Sequence, residues 1–226
     1  EGKRGLYTSI VPASTAAGLL FGAVFVAGLH AWMSVEDLHS WGWRLPFLLA
    51  APFGLVGRYI RMSLQDTPKF LEMEKRLEAK ECANHAPVRE LLTVHRRSVM
   101  IGIGVTCLNA VAFYLLLSYM PTYLSTEMGM SESDSFLAST VSLATYIGLI
   151  FLMGKLSDRF GRKTMLLTAS VLFLALTFPL FGMLENQPLI VILMIQIAFG
   201  AILAMNDGTL PCFLAEIFPT RVRFSG

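Results

Sequence analysis

Apolar residues arrive along this chain in long blocks. Six stretches, at about 7–31, 45–63, 98–119, 136–154, 164–183 and 188–210, are nearly free of charge. A bilayer core about 30 Å thick takes roughly 20 helical residues to cross, so each stretch predicts a membrane-spanning helix. The second is short if Arg58 marks its inner end, although an arginine head can snorkel to the interface. Pro12, Pro46, Pro52 and Pro179 fall inside or at the ends of these spans. Lipid tolerates them where a neighbouring helix or a Ser/Thr hydroxyl re-satisfies the freed carbonyl. The predicted fold class is an all-α membrane protein, a bundle of transmembrane helices.

A polar segment, 63–94, separates the first two stretches from the other four. Pro68 suits the first turn of a helix, with Thr67 or Asp66 as its cap. Phe70, Met73 and Leu77 recur at helical spacing among charges, as in a short amphipathic helix on a membrane surface. The plainer reading, which we favour, is a polar linker between two bundles. Trp32, Trp41 and Trp43 cluster near one inter-span loop, where indoles anchor at the headgroup level, and Tyr119 and Tyr123 suit the same role.

Charge sets the orientation. Seventeen of the 18 Lys and Arg residues fall on one side of the predicted spans, and Arg44 alone falls on the other. This is the positive-inside pattern, and it predicts that both ends of the chain are cytoplasmic. With 54% hydrophobic and 15% charged residues, the chain is far from the composition of a soluble domain, where about 25% are charged. Its basic residues therefore serve topology and lipid, and no nucleic-acid partner is implied. Cys82, Cys107 and Cys212 share no motif spacing, and no histidine has a second ligand nearby, so neither a metal nor another cofactor is expected. The absence of a glycine-rich phosphate loop argues against an ATP-driven pump. Glu1-Gly2-Lys3-Arg4-Gly5 and Arg221-Val222-Arg223-Phe224-Ser225-Gly226 are basic turns abutting spans, and both read as cuts from a longer protein.

The sharpest local signal is Gly154-Lys155-Leu156-Ser157-Asp158-Arg159-Phe160-Gly161-Arg162-Lys163, between two spans. Gly154 and Gly161 permit a tight turn and close helix approach. Asp158 can accept amide hydrogens at the start of the next helix or pair with a nearby arginine. The basic residues hold the loop to the anionic inner leaflet. This ordered set resembles the signature loop of the major facilitator superfamily. The other stretches resemble its metabolite:proton symporter branch, which includes carriers of proline and glycine betaine, 2-oxoglutarate, shikimate and citrate. They are Lys3-Arg4-Gly5, Trp41-Gly42-Trp43-Arg44-Leu45-Pro46-Phe47, Thr67-Pro68 with Phe70, Tyr119-Met120-Pro121-Thr122-Tyr123-Leu124, and Glu216-Ile217-Phe218-Pro219-Thr220 with Arg223. The wording is most similar to that of the proline/betaine carriers.

The resemblance implies a partial bundle, the fifth to tenth of twelve helices. Residues 1–63 would be the last two helices of the N-terminal bundle, 64–97 the central cytoplasmic loop, and 98–226 the first four helices of the C-terminal bundle. The missing helices of the full-length chain would be partners of this one. The resemblance also implies that Asp158, supported by Arg159 and Arg162 and flanked by Gly154, Gly161 and Lys163, gates the cytoplasmic side. Its neighbour would be the eleventh span, outside this chain. The third and sixth stretches would line the central cavity, which makes Asn109, Tyr114, Gln196 and Asn206 candidates for solute contact. Interhelical hydrogen bonding is the other reading of the polar three, and an ordinary interior aromatic the other reading of Tyr114. Thr140, Thr145 and Tyr146 are weaker versions of the same case.

Asp207 is the only carboxylate written inside an apolar run. Nineteen residues past Pro188, it lies about 29 Å along the helix, near the inner edge of a 30 Å core. A helix running on to Glu216 would bring it nearer the centre. It is either a proton-coupling group in the inner vestibule or an inner-mouth residue that hydrates freely or caps the break near Gly208. Lacking any cluster of acid, base and metal-ligating groups at one depth, the chain does not read as an enzyme. The function implied is a secondary transporter, a solute:proton symporter of the inner or plasma membrane. It would carry a proline- or betaine-like osmolyte or an organic acid by alternating access. A uniporter, or a scaffold or sensor protein on the same fold, is the alternative.

Overall fold

A computed structural model of the chain describes residues 3–64, 93–185 and 187–219. The linker at 65–92, with its expected amphipathic helix, lies outside the described residues. Every regular element among the described residues is helical: α1 (Arg4–Thr8), α2 (Ile10–Trp32), α3 (Val35–Ser40), a 3₁₀ turn (Gly42–Arg44) and α4 (Leu45–Ser63). After the linker come α5 (Arg96–Phe113), a π-helical turn (Tyr114–Tyr119), α6 (Met120–Thr126), α7 (Glu132–Phe160), α8 (Arg162–Gly182), α9 (Leu189–Asp207) and α10 (Leu210–Ile217). The chain is an all-α, multi-helix membrane bundle.

Five stretches among the described residues are long and apolar enough to cross a membrane: Arg4–Val26, Arg96–Thr126, Glu132–Phe160, Arg162–Gly182 and Leu189–Ile217. The expected span at 45–63 does form a helix, α4. It is outside these five because Arg58 and Arg61 fall within its 19 residues and lower its hydropathy. Three of the five overrun the apolar blocks that predicted them. Helices end at caps, not at the edge of apolarity. The Ser131 side chain, for example, accepts from the Asp134 N–H and starts α7 four residues before its apolar run. The π-helical turn sits just before Pro121, which can offer no N–H to the preceding turn; a widened turn absorbs that mismatch.

The described residues within Glu1–Ala17 and Val88–Gly226 form one compact unit, and those within Gly18–Pro87 form another. In the second unit, Ser34 caps α3, and the Arg44 guanidinium lies 4.4 Å from the Trp43 ring centroid. Trp32, Trp41 and Trp43 are exposed there, as interface anchors require, and so is most of α4.

The core of the first unit is the seam between α7 and α9. The buried face of α7 is Ser135, Ala138, Ser139, Ser142, Leu143, Tyr146, Ile150, Gly154 and Ser157, spaced three and four apart and mostly small. Small residues let backbones approach where lipid gives no hydrophobic drive to associate. A Cβ on Gly200 of α9 would stand 2.6 Å from the Ser142 carbonyl oxygen, and one on Gly154 would stand 2.7 Å from that of Gly5. Neither position accepts a side chain without the helices parting. Gly161 makes the turn from α7 to α8 at φ 90°, ψ 144°, a conformation nearly confined to glycine.

Candidate functional site

Two carboxylates organise the first unit. Asp158 lies near the end of α7, where the turn at Gly161 brings Arg162 back alongside it. The Arg162 Nη2 donates to Asp158 Oδ1 at 2.8 Å and lies 3.4 Å from Glu216 Oε1. Asp158 also accepts from two backbone amides far away in sequence, Gly5 N–H at 2.9 Å and Leu6 N–H at 3.2 Å.

Those amides belong to the first turn of α1, where helical N–H groups have no partner of their own. Lys3, at the position before the helix, supplies no capping side chain. Asp158 takes over that role from 152 residues away, adding a negative charge at the positive end of the helix dipole. The approach depends on Gly5 facing Gly154, where either Cβ would collide with the opposing segment. Of the two kinds of partner expected for Asp158, the nearby arginine is present as Arg162, while the amides it accepts from belong to α1 and not to the next helix.

The supporting basic residues divide. Arg162 is half-buried in the clasp, whereas Arg159 and Lys163 are exposed, the former with its guanidinium 5.6 Å from the Phe160 ring centroid. Lys3, Lys155 and Arg159 line an open cleft beside Asp158, of about 540 Å³.

The second carboxylate is buried. Asp207 is 5% exposed, and its Oδ2 accepts from the Tyr146 hydroxyl at 2.5 Å. Asp207 ends α9, but the helical path resumes at Leu210 and runs to Ile217, so the span extends ten residues past it. At 1.5 Å per residue that is about 15 Å, which moves Asp207 well away from the inner edge. The freely hydrated inner-mouth reading fails, because Tyr146 of α7 covers the group. The capping reading fails too, since the Gly208 N–H goes to backbone carbonyls and the Asp207 side chain to Tyr146.

Of the candidates for solute contact, Asn109 on α5 is partly buried, and its Oδ1 has no hydrogen-bond partner among the described residues. Gln196 and Asn206 are fully buried, and neither amide group has a partner among the described residues. Tyr114 is 67% exposed in this chain, its ring edge-on to Phe113. Tyr146, a weaker candidate, is the residue that meets Asp207. Sequence spacing could not pair it with Asp207, because the contact spans 61 residues and two helices. Thr145 instead turns its hydroxyl back to the Val141 carbonyl. Among the described residues there is no group of three or more His, Cys, Asp or Glu that could hold a metal ion.

Comparison with known proteins gives this geometry its context. The family model described as Major Facilitator Superfamily matches residues 1–225. The chain is 34% identical, over 99% of its length and 46% of the relative's, to the glycine betaine/proline/ectoine/pipecolic acid transporter OusA of Dickeya dadantii. It is also 34% identical, with the same coverage, to the proline/betaine transporter of Salmonella typhimurium. The citrate-proton symporter of Klebsiella pneumoniae is 30% identical over 100% of this chain and 50% of its own length. The chain thus spans about half the length of the curated relatives it matches. No solved structure matches it.

Proposed function

This chain belongs to the Major Facilitator Superfamily, and on that premise we propose that the full protein is a solute:proton symporter for a small zwitterionic osmolyte of the proline or betaine kind. It works by alternating access, with two helical bundles rocking around a midplane site. The observation that carries this reading is the Asp158 clasp. On the twelve-helix plan, α1 belongs to the N-terminal bundle and the 154–163 turn to the C-terminal one. A carboxylate holding the first turn of one against the last turn of a helix in the other is a releasable lock, on the side proposed to be cytoplasmic.

Asp207, with Tyr146, is the proposed coupling group. It is an ionisable side chain inside a membrane span, and its carboxylate accepts from the Tyr146 hydroxyl of another helix. A carrier leaves its cargo covalently unchanged, and the protein is not an enzyme. The substrate class rests on the relatives, whose names cite betaine and proline at 34% identity and citrate at 30%. An organic-acid carrier is the second reading.

The test is a competition panel with the full-length protein in proteoliposomes, using proline, glycine betaine, 2-oxoglutarate, citrate and shikimate. The zwitterions should be taken up and should compete with each other. Uptake of citrate or 2-oxoglutarate alone would establish the organic-acid reading, and a panel without saturable uptake would remove this substrate assignment.

A further inference from the structure

The α7–α9 seam contains polar groups that no group among the described residues satisfies. Gln196 and Ser142 are 0% exposed and Ser139 is 8% exposed. Both amide atoms of Gln196 and both serine hydroxyls are without a hydrogen-bond partner. Other hydroxyls in these spans behave differently. Those of Ser135, Thr145, Ser157, Ser170, Thr177 and Thr209 each donate to a carbonyl three or four residues back in their own helix. Ser139 and Ser142 forgo that local bond.

The three residues fall within about one helical turn of each other along the seam. Contacts between the helices climb in step, Ser142 with Gly200, Tyr146 with Asp207 and Ile150 with Gly208, so the helices run parallel. One turn back from the Ser142–Gly200 crossing, Gln196 comes level with Ser139. This chain itself buries all three side chains.

An unsatisfied polar group in a membrane interior is costly, and buried groups of this kind are ordinarily paired or hydrated. The chemistry of the set identifies the occupant. Gln196 Nε2 donates only and Oε1 accepts only, while the hydroxyls can do either. A cation would leave Nε2 unpaired and an anion would leave Oε1 unpaired. Water satisfies both, and a buried water commonly makes about three such bonds. We propose that Gln196, Ser139 and Ser142 form an internal water site within the α7–α9 seam. Asn206, also fully buried with both amide atoms unpartnered beside Asp207, extends the same requirement along the seam. The site stands whether or not Asp207 couples protons.

Two measurements on the purified full-length protein test it without transport. The first is thermal. If the hydroxyls are empty, the Ser139→Ala/Ser142→Ala double variant sheds a desolvation penalty and melts at the same or a higher temperature; if they hold water, it melts lower. We expect a midpoint lower by a few degrees in sodium-free buffer. An unchanged or raised midpoint would overturn the site. A midpoint that rises with sodium in the wild type but not in the double variant would overturn water in favour of a cation. The second is hydroxyl-radical labelling of the wild type, which marks side chains beside trapped water. Buried Phe199, one turn from Gln196, should be oxidised, while buried Leu166 of α8 should not. An unlabelled Phe199 would contradict the proposal even if the serine variants fail to fold.

Discussion

Asp158 and Asp207 carry opposite burdens. The first is a charged hydrogen-bond acceptor shared by three donors at a helix end, and bonds to charged groups are worth about 1.5–3 kcal/mol. Replacing it with Asn keeps the shape and removes the charge. Asp158→Asn in the full-length protein should therefore shift the balance of access states roughly ten- to a hundredfold and slow uptake, with membrane insertion unchanged. Initial-rate uptake normalised to surface expression checks this, and unchanged uptake would reduce Asp158 to a loop residue. Tyr146→Phe would leave a buried carboxylate oxygen without its donor and should cost about 1–3 kcal/mol. A double-mutant cycle with Asp207→Asn, read by thermal melting, should show strong coupling between the two positions. The candidacy of Asp207 was legible because a carboxylate in an apolar run is conspicuous. Its partner was not, since tyrosine is common in such helices and the contact depends on the register of α7 against α9. Asp158 was legible as an acceptor because it stands among basic residues in a glycine-flanked turn, but backbone amides leave no mark in a sequence, so Gly5 and Leu6 went unseen as its partners.

At the scale of elements, glycine decides how closely helices meet. Gly154→Val would drive a branched side chain into the Gly5 carbonyl and Ser9, where a Cβ alone already stands 2.7 Å from one and 2.9 Å from the other. Overpacking of this kind costs about 1–3 kcal/mol, and here it also opens the Asp158 clasp. Lower melting temperature together with slowed uptake is the expected outcome, and wild-type behaviour in both would show that α1 does not pack here. The helices themselves were largely readable from length and apolarity. Their ends were less so, because Ser131 and Gly161 set the limits of α7 through capping and backbone conformation. α4 shows the limit of counting apolar residues: its helix formed as expected, while two arginines took it below the membrane-crossing composition of the other five.

For the whole molecule, the basic-residue bias predicts sidedness. A cysteine label introduced at 70–90 in the full-length protein should react only from the cytoplasm, and one at 126–134 only from outside. Labelling in the reverse sense would overturn both the orientation and the placing of the Asp158 clasp on the cytoplasmic side. The bundle class was legible in the hydropathy, and the superfamily in a few loop motifs. The grouping of Glu1–Ala17 with Val88–Gly226 was not. It arises from packing between residues about 150 positions apart, on which local patterns are silent.

The most direct test of the symport account is solute accumulation driven by a pH gradient alone. Proteoliposomes containing the full-length protein, acidic outside and with membrane potential clamped, should concentrate labelled proline or glycine betaine above the external level. Asp207→Asn should abolish that uphill accumulation while sparing exchange between compartments of equal pH. Equilibration without accumulation in the wild type, or full accumulation by Asp207→Asn, would contradict proton coupling through this buried carboxylate.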